Sequence, residues 1–146
     1  MHRTVPLLLV VDDDLGAAEQ LASWLLTQGF NAVSAASCLE ARAVMEAVPI
    51  DGLIGHLGLR DASLFGLAQT LRAQRQAAVI VGYADVDVRP PPELDACFVR
   101  PLDLEVLGSF LSSRFGRHAA SDHFKVANRH HSVPPAAMPA APRRKR

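Results

Sequence analysis

The sequence is poor in cysteine and in aromatic residues. It has 2 cysteines, 1 tryptophan and 1 tyrosine, and aromatic residues make up 5% of its 146 residues. Cys38 and Cys97 form neither a disulfide scaffold nor a metal-ligand pair at the usual spacing. No apolar run is long enough to span a membrane, and the run near the amino terminus is followed by acidic residues and lacks the cleavage site of a signal peptide. We therefore expect a cytoplasmic protein.

The two signs of charge are unevenly distributed, although they cancel overall. Residues 1–115 hold 8 basic and 14 acidic residues, about −6, whereas residues 116–146 hold 7 basic and 1 acidic, about +6. The second segment is also rich in proline and alanine, so it buries too little apolar surface to offset the entropy lost on ordering. We predict one folded domain over residues 5–115 and a basic, disordered tail over residues 116–146.

Short apolar runs predict the strands of a parallel sheet. The clearest covers residues 7–11, which are all apolar and lead directly into the carboxylates of Asp12, Asp13 and Asp14. Such an unbroken run suits a strand that is covered on both faces. The further strand candidates are residues 31–35, 52–55, 77–81 and 96–99, and helical spacing marks residues 15–28, 38–48, 64–74 and 102–115. This alternation predicts an α/β fold with a doubly wound, five-stranded parallel sheet and right-handed crossovers, whose ligands bind beyond the carboxyl ends of the strands.

Several of the residues at those strand ends resemble the receiver domain of bacterial two-component response regulators, a CheY-like, flavodoxin-like fold. The resemblance runs from about Pro6 to Phe115. It is carried by Val10-Val11-Asp12-Asp13-Asp14, the strand entering His56, the segment Gly82-Tyr83-Ala84, which we interpret as a turn, and Arg100-Pro101. In that family two acidic residues and an aspartate after the third strand bind magnesium, and the aspartate accepts a phosphoryl group from a histidine kinase. A Thr or Ser after the fourth strand and a Lys before a cis-proline contact the phosphoryl oxygens.

The resemblance assigns the acidic pair to Asp12 and Asp13, but it places His56 at the phosphoacceptor position. A histidine there removes the carboxylate nucleophile and an anionic oxygen ligand for magnesium, so we expect no cofactor and weak or lost magnesium binding. The switch hydroxyl falls on Val81, Gly82 or Tyr83, depending on register, and none of these is Thr or Ser. We expect Tyr83 to be a partly exposed packing residue.

The basic position falls on Arg100, which keeps a positive charge but replaces a compact ammonium group with a planar fork. Pro101 follows, and the resemblance implies a cis peptide bond between them. Arg60 stands in the loop after His56 where the family often has proline. The expected pocket has therefore changed on several sides.

Three hypotheses for His56 stay open. It can be a hydrogen-bonded residue in a pocket that has lost its chemistry. Its imidazole can be charged beside Asp12 and Asp13 and replace the missing metal in a permanent ion pair, because neighbouring carboxylates favour the charged form. The same three side chains can also hold a transition-metal ion.

The function expected from these residues is that of a stand-alone, atypical receiver in a two-component or phosphorelay system, which is not an enzyme and is not phosphorylated. It would bind a signalling protein, either a histidine kinase or a downstream effector, through the surface from Leu94 to Leu111. In the family this surface comprises the fourth and fifth helices and the strand between them. A homodimer is a further option, and no membrane partner is expected.

Two alternatives remain. The first is phosphorylation of another carboxylate, such as Asp13 or Asp61. The second is a nucleic-acid-binding accessory protein that uses the basic tail, whose Arg143-Arg144-Lys145-Arg146 run could contact phosphates.

Overall fold

Strands and helices alternate along residues 5–116, the part of the chain that the computed structural model describes. The elements are β1 (Leu7–Val11), α1 (Leu15–Thr27), β2 (Asn31–Ala35), α2 (Cys38–Ala47), β3 (Gly52–His56), α3 (Leu64–Gln74), β4 (Val79–Ala84), β5 (Ala96–Val99) and α4 (Leu104–Phe115). The strands form one parallel sheet in the order β2-β1-β3-β4-β5. The predicted parallel α/β fold is therefore confirmed. The predicted tail lies, apart from Gly116, outside the described residues.

Each helix begins at a side chain that accepts a hydrogen bond from a backbone N–H of the first turn. These capping residues are Asp14, Ser37, Ser63 and Asp103. A capping box at α2 is present in a shifted form. Ser37 accepts the N–H of Glu40, while the carboxylate of Glu40 accepts the N–H of Ala36 at 2.8 Å. Unpaired N–H groups at a helix start are thus satisfied locally, which defines where the helix begins.

The helices cover the sheet on both faces. Leu9 and Leu53 pack with α2 and α3 on one face, whereas Leu8 and Ile54 pack with α1 and α4 on the other. All four of these side chains have at most 1% of their surface exposed. Apolar residues at successive positions of β1 and β3 are required because both faces of a central parallel strand are buried.

No helix joins β4 to β5, since residues 85–95 are described throughout as bends, turns and irregular chain. The strict alternation expected from the sequence therefore fails here, and the family's fourth helix has no counterpart. Pro90-Pro91-Pro92 occupy this stretch, and prolines remove backbone donors and disfavour helical geometry in the residue before them. The predicted partner surface, Leu94 to Leu111, consequently comprises β5 and the first part of one helix, α4.

Strand β4 differs from its predicted limits. It continues through Gly82 and Tyr83 to Ala84, so these residues belong to a buried strand and not to a turn. The backbone of Gly82 lies close to its neighbours, because a Cβ there would be 2.7 Å from Leu94 and 2.8 Å from Leu57. Among the described residues, no helix is long and apolar enough to cross a membrane.

Candidate functional site

The carboxyl ends of β1, β3, β4 and β5 bring a set of polar side chains together at one edge of the sheet. These side chains are Asp12, His56, Tyr83, Asp85 and Arg100. The register of the sheet aligns His56 with Tyr83, and the N–H of Leu57 donates to the Tyr83 carbonyl at 2.8 Å. Parallel strands end at a common edge, which is why residues distant in sequence meet here.

Asp12 is the buried acidic centre of this site. It has 3% of its surface exposed, and its Oδ2 accepts hydrogen bonds from the Tyr83 hydroxyl at 2.7 Å and from Arg100 Nη1 at 3.3 Å. Its Oδ1 accepts the N–H of Asp14 at 2.9 Å. A buried carboxylate needs such partners, because removing it from water without them is very costly. Protein donors therefore satisfy both oxygens of Asp12.

Tyr83 is buried, and the expectation of a partly exposed side chain was wrong. Only 2% of its surface is exposed, because β4 directs the ring into the core between the sheet and α1 and α4. Burial, followed by the hydrogen bond to Asp12, raises the pKa of Tyr83 far above its ordinary value. The phenol is therefore a neutral hydrogen-bond donor at all physiological pH values.

Arg100 provides the positive charge of the site. Its guanidinium reaches Asp85 Oδ1 at 2.8 Å from Nε and 2.7 Å from Nη2, while Nη1 points to Asp12. The Arg100 hydrogen bond is the main cause that lowers the pKa of Asp85 from its ordinary value. The guanidinium also lies 5.4 Å from the centre of the Tyr83 ring. A planar fork thus bridges two carboxylates, which a lysine ammonium could not do with the same geometry. The expected cis peptide bond between Arg100 and Pro101 is confirmed.

His56 is held by hydrogen bonds to its own loop and to Asp85. Its Nδ1 accepts the N–H of Gly58 at 3.0 Å, and its Nε2 lies 3.2 Å from Asp85 Oδ2. A nitrogen that accepts an N–H must keep its lone pair, so Nε2 is the ring nitrogen that donates, and its acceptor is Asp85. The hypothesis that His56 pairs with Asp12 and Asp13 was therefore wrong in its partner, because the carboxylate that His56 contacts is Asp85. The cation that contacts Asp12 is Arg100.

The two carboxylates considered as alternative phosphoacceptors make hydrogen bonds to backbone groups. Asp13 Oδ2 accepts the N–H of Arg60 at 2.9 Å. Asp61 accepts the N–H groups of Cys38 and Leu39 at 3.0 and 3.1 Å, at the start of α2. These bonds, that from Cys38 first, lower the pKa of Asp61. Both carboxylates thus tie the loop after β3 to neighbouring elements.

The residues of the site do not fit the magnesium ion that the fold family implies. Within residues 5–116, no group of three or more His, Cys, Asp and Glu side chains is placed to hold a metal ion. Asp12 Oδ2 already accepts hydrogen bonds from the Tyr83 hydroxyl and from Arg100. Nor are His56, Asp12 and Asp13 arranged as such a group, which contradicts the transition-metal hypothesis.

Asp85 is the functional-site residue that sequence reasoning missed. It follows β4 directly and contacts both His56 and Arg100. Because β4 was predicted to end at residue 81, Asp85 fell in what looked like a remote loop. The available signal was its position one residue beyond Ala84, at the carboxyl end of a strand, where ligand-contacting residues concentrate.

The fold is similar to many solved receiver structures. A response regulator receiver protein from Pseudomonas putida is 29% identical, with a TM-score of 0.67 over 77% of this chain and 99% of that chain. The CheY-like receiver domain from Methylobacillus flagellatus is 26% identical, with a TM-score of 0.67 over 76% and 99%. A two-component response regulator from Clostridium difficile is 20% identical, with a TM-score of 0.69 over 77% and 97%. No protein-family model and no curated protein matches the chain. The part of the chain described by the structure therefore has the fold of CheY-like response-regulator receiver domains.

Proposed function

We propose that this protein is an atypical receiver in a two-component or phosphorelay system, which acts by binding a signalling protein and not by catalysis or phosphorylation. The observation that carries the proposal is the occupied pocket. The Tyr83 hydroxyl and the Arg100 guanidinium both bind the buried carboxylate of Asp12. Receiver domains generally interact with kinases and effectors, so the fold supports a signalling role, and the pocket supports one that needs neither metal nor phosphate.

The surroundings of His56 support the absence of phosphorylation at that position. The free lone pair of the ring, on Nδ1, accepts the Gly58 N–H, and the protonated Nε2 faces Asp85. A nucleophile needs an available lone pair, and its phosphorylated form needs positive charge or donors around the new oxygens. Here the lone pair is already engaged, and the nearest charged partner is a carboxylate.

The proposed partner surface is formed by β5 and the amino-terminal half of α4. Val99, Leu104 and Val106 have 42%, 38% and 50% of their surface exposed. Strand β5 is the last strand of the sheet, and no helix joins β4 to it. Exposed apolar clusters rimmed by polar residues mark protein-interaction sites. A histidine kinase or a downstream effector is the proposed partner.

The first test is incubation of the full chain with acetyl phosphate and magnesium, followed by intact-mass measurement. The proposal expects no phosphoryl adduct. Asp13→Asn and Asp61→Asn variants provide the controls, since each removes one alternative acceptor. An adduct on the parent chain that disappears in either variant would establish the first alternative and refute the proposal.

The second test compares affinity capture by the parent chain with capture by two surface variants. Val106→Glu places a charge on the proposed surface, whereas Leu39→Glu places one on α2, at a side chain that is 74% exposed. A partner retained by the parent and by Leu39→Glu, but lost by Val106→Glu, supports the surface. Equal retention by all three would exclude it.

The nucleic-acid alternative gains no support from the described residues. Residues 5–116 contain 7 basic and 14 acidic residues, a net charge of about −7, which repels phosphate backbones. The basic residues on which this alternative depends lie outside the described part of the chain.

A further inference from the structure

A cleft lies between α1 and α4 and opens beside the pocket described above. Its volume is about 230 Å³. It is lined by Ala17, Gln20, Leu21, Trp24, Tyr83, Arg100, Leu102 and Leu104. Gly108 allows α4 to approach the indole, because a Cβ at that position would be 3.4 Å from Trp24. The cleft thus has apolar walls, with Tyr83 and Arg100 among the polar groups that line it.

The size and the lining of the cleft indicate what it can hold. Small-molecule sites are usually about 300–1,000 Å³, so this cleft is below that range and suits one inserted apolar or aromatic side chain. Its half-buried tryptophan offers an edge-to-face or stacked contact to an aromatic ring. The occupant is therefore expected to be a peptide segment that carries one aromatic anchor.

Acidic residues stand at the starts of both helices, close in sequence to residues that line the cleft. Asp14 caps α1 just before the cleft-lining Ala17, and Asp103 stands between the cleft-lining Leu102 and Leu104. Both aspartates are exposed. The only cation among the lining residues, Arg100, already contacts two carboxylates. A segment with basic residues beside its aromatic anchor would therefore complement the charge of this rim.

We propose that the segment of residues 117–129 of this same chain docks in the cleft, with Phe124 as the inserted side chain and Lys125 and Arg129 facing the acidic rim. This segment has the required chemistry, because Phe124 is its only aromatic residue and it carries three basic residues against one acidic residue. The assignment does not depend on the function proposed above.

The geometry of the chain allows this contact. Helix α4 begins at the cleft with Leu104 and ends with Phe115, whose ring would lie 3.2 Å from a Cβ on Gly52, at the opposite edge of the sheet. Its 12 residues span about 18 Å at 1.5 Å per residue. The eight steps of chain from Gly116 to Phe124 can extend about 26 Å, which is enough to return along the helix. Gly116 has φ of 76°, which lets the chain leave the helix axis.

Docking there would also cover Leu104, which belongs to the proposed partner surface. The segment would then compete with a partner for the amino-terminal end of α4. Occupation by a second copy of the chain, or by another protein, would leave the intramolecular contact unformed.

Trp24 is the only tryptophan of the chain and lines the cleft, so its fluorescence reports occupation directly. The experiment measures acrylamide quenching and the emission maximum of the full chain, of Phe124→Ala, and of Val133→Ala as a control elsewhere in the same region. Phe124→Ala is expected to increase quenching and to shift the emission to the red, while the control behaves as the parent does. Lys125→Glu is expected to act in the same direction as Phe124→Ala, most clearly at low salt.

A second measurement is the NMR contact between the Phe124 ring and the Trp24 indole in the full chain. Its presence at low protein concentration supports the proposal. Quenching of Phe124→Ala equal to that of the parent overturns it. Protection of Trp24 that grows with protein concentration also overturns it, because the segment would then bind a neighbouring copy.

Discussion

The hydrogen bond between Tyr83 and Asp12 offers the sharpest test of how the pocket is held. Tyr83→Phe removes one oxygen and leaves the ring, the strand and the core packing unchanged. The bond is 2.7 Å long, and both residues are nearly inaccessible, with 2% and 3% of their surface exposed. The mutation therefore removes one donor from a buried carboxylate and little else.

The size of the effect follows from the charge on the acceptor. A hydrogen bond to a charged group contributes about 1.5–3 kcal/mol, against about 0.5–1.5 kcal/mol for a neutral pair. Asp12 keeps its bonds from the Asp14 N–H and from Arg100, so its charge stays compensated and the upper limit is not exceeded. At about 4 °C per kcal/mol for a domain slightly above 100 residues, the melting temperature should fall by roughly 6–12 °C.

The assay is urea unfolding followed by circular dichroism, with thermal melting as a second measure. Ser113→Ala is the matched control, because it also removes a hydroxyl that donates a 2.7 Å bond, in this case to the Phe110 carbonyl on an exposed helix surface. The control should change the free energy of unfolding by less than about 0.5 kcal/mol. If Tyr83→Phe changes it as little as the control does, the buried bond does not hold the pocket and the reasoning fails.

The remaining predictions concern the pH response, the glycines and the anchor of β5. Tyr83 is the only tyrosine of the chain, so phenolate absorbance should not appear near pH 10 in the folded protein. Because folding raises the pKa of Tyr83, the stability that this residue contributes is complete below pH 10 and falls above it, by at most about 1.4 kcal/mol per pH unit. Tyr83→Phe should remove this decline when urea unfolding is measured at several pH values. Gly55→Ala should lower the free energy of unfolding by about 1–3 kcal/mol, because the added Cβ would be 2.5 Å from a Leu64 methyl group. Gly66→Ala, the control in helix α3, should raise the free energy of unfolding by up to about 1 kcal/mol, because alanine favours a helix more than glycine does. Similar values for both variants would contradict the close packing at β3. Asp95→Asn should destabilise by about 1–3 kcal/mol, since the carboxylate accepts both the Ile80 N–H and an arginine, and an unchanged unfolding midpoint would show that β5 does not depend on it.

Most of the fold could be predicted from local patterns. The bounds of β2, α3 and β5 are those expected, because each is a short periodic segment between clear helix or turn signals. β4 was misplaced because glycine and tyrosine after an apolar run read as a turn. Burial of Tyr83 depends on a carboxylate 71 residues away, which no local window contains.

The candidate site could be predicted in most of its members, Asp85 excepted, but not in its contacts. Asp12, His56 and Arg100 were identified from strand ends and from the resemblance, and they do lie in one network. Which carboxylate each cation or donor would contact was not predictable, because such pairing depends on side-chain directions and on loop geometry. Asp85 was missed because β4 extends to Ala84, beyond its predicted end at residue 81, and so brings Asp85 to the ends of the strands.

The sequence by itself determined that the chain alternates strands and helices, that carboxylates follow the first strand, and that no aspartate stands at position 56. These properties are written in the order and polarity of residues. The tertiary structure alone decided that Arg100, and not His56, contacts the acidic centre, that His56 contacts Asp85, and that Tyr83 is buried against Asp12. The physical reason is that hydrogen bonding and ion pairing depend on distances of about 3 Å between residues far apart in sequence, and only the packed sheet brings those atoms together.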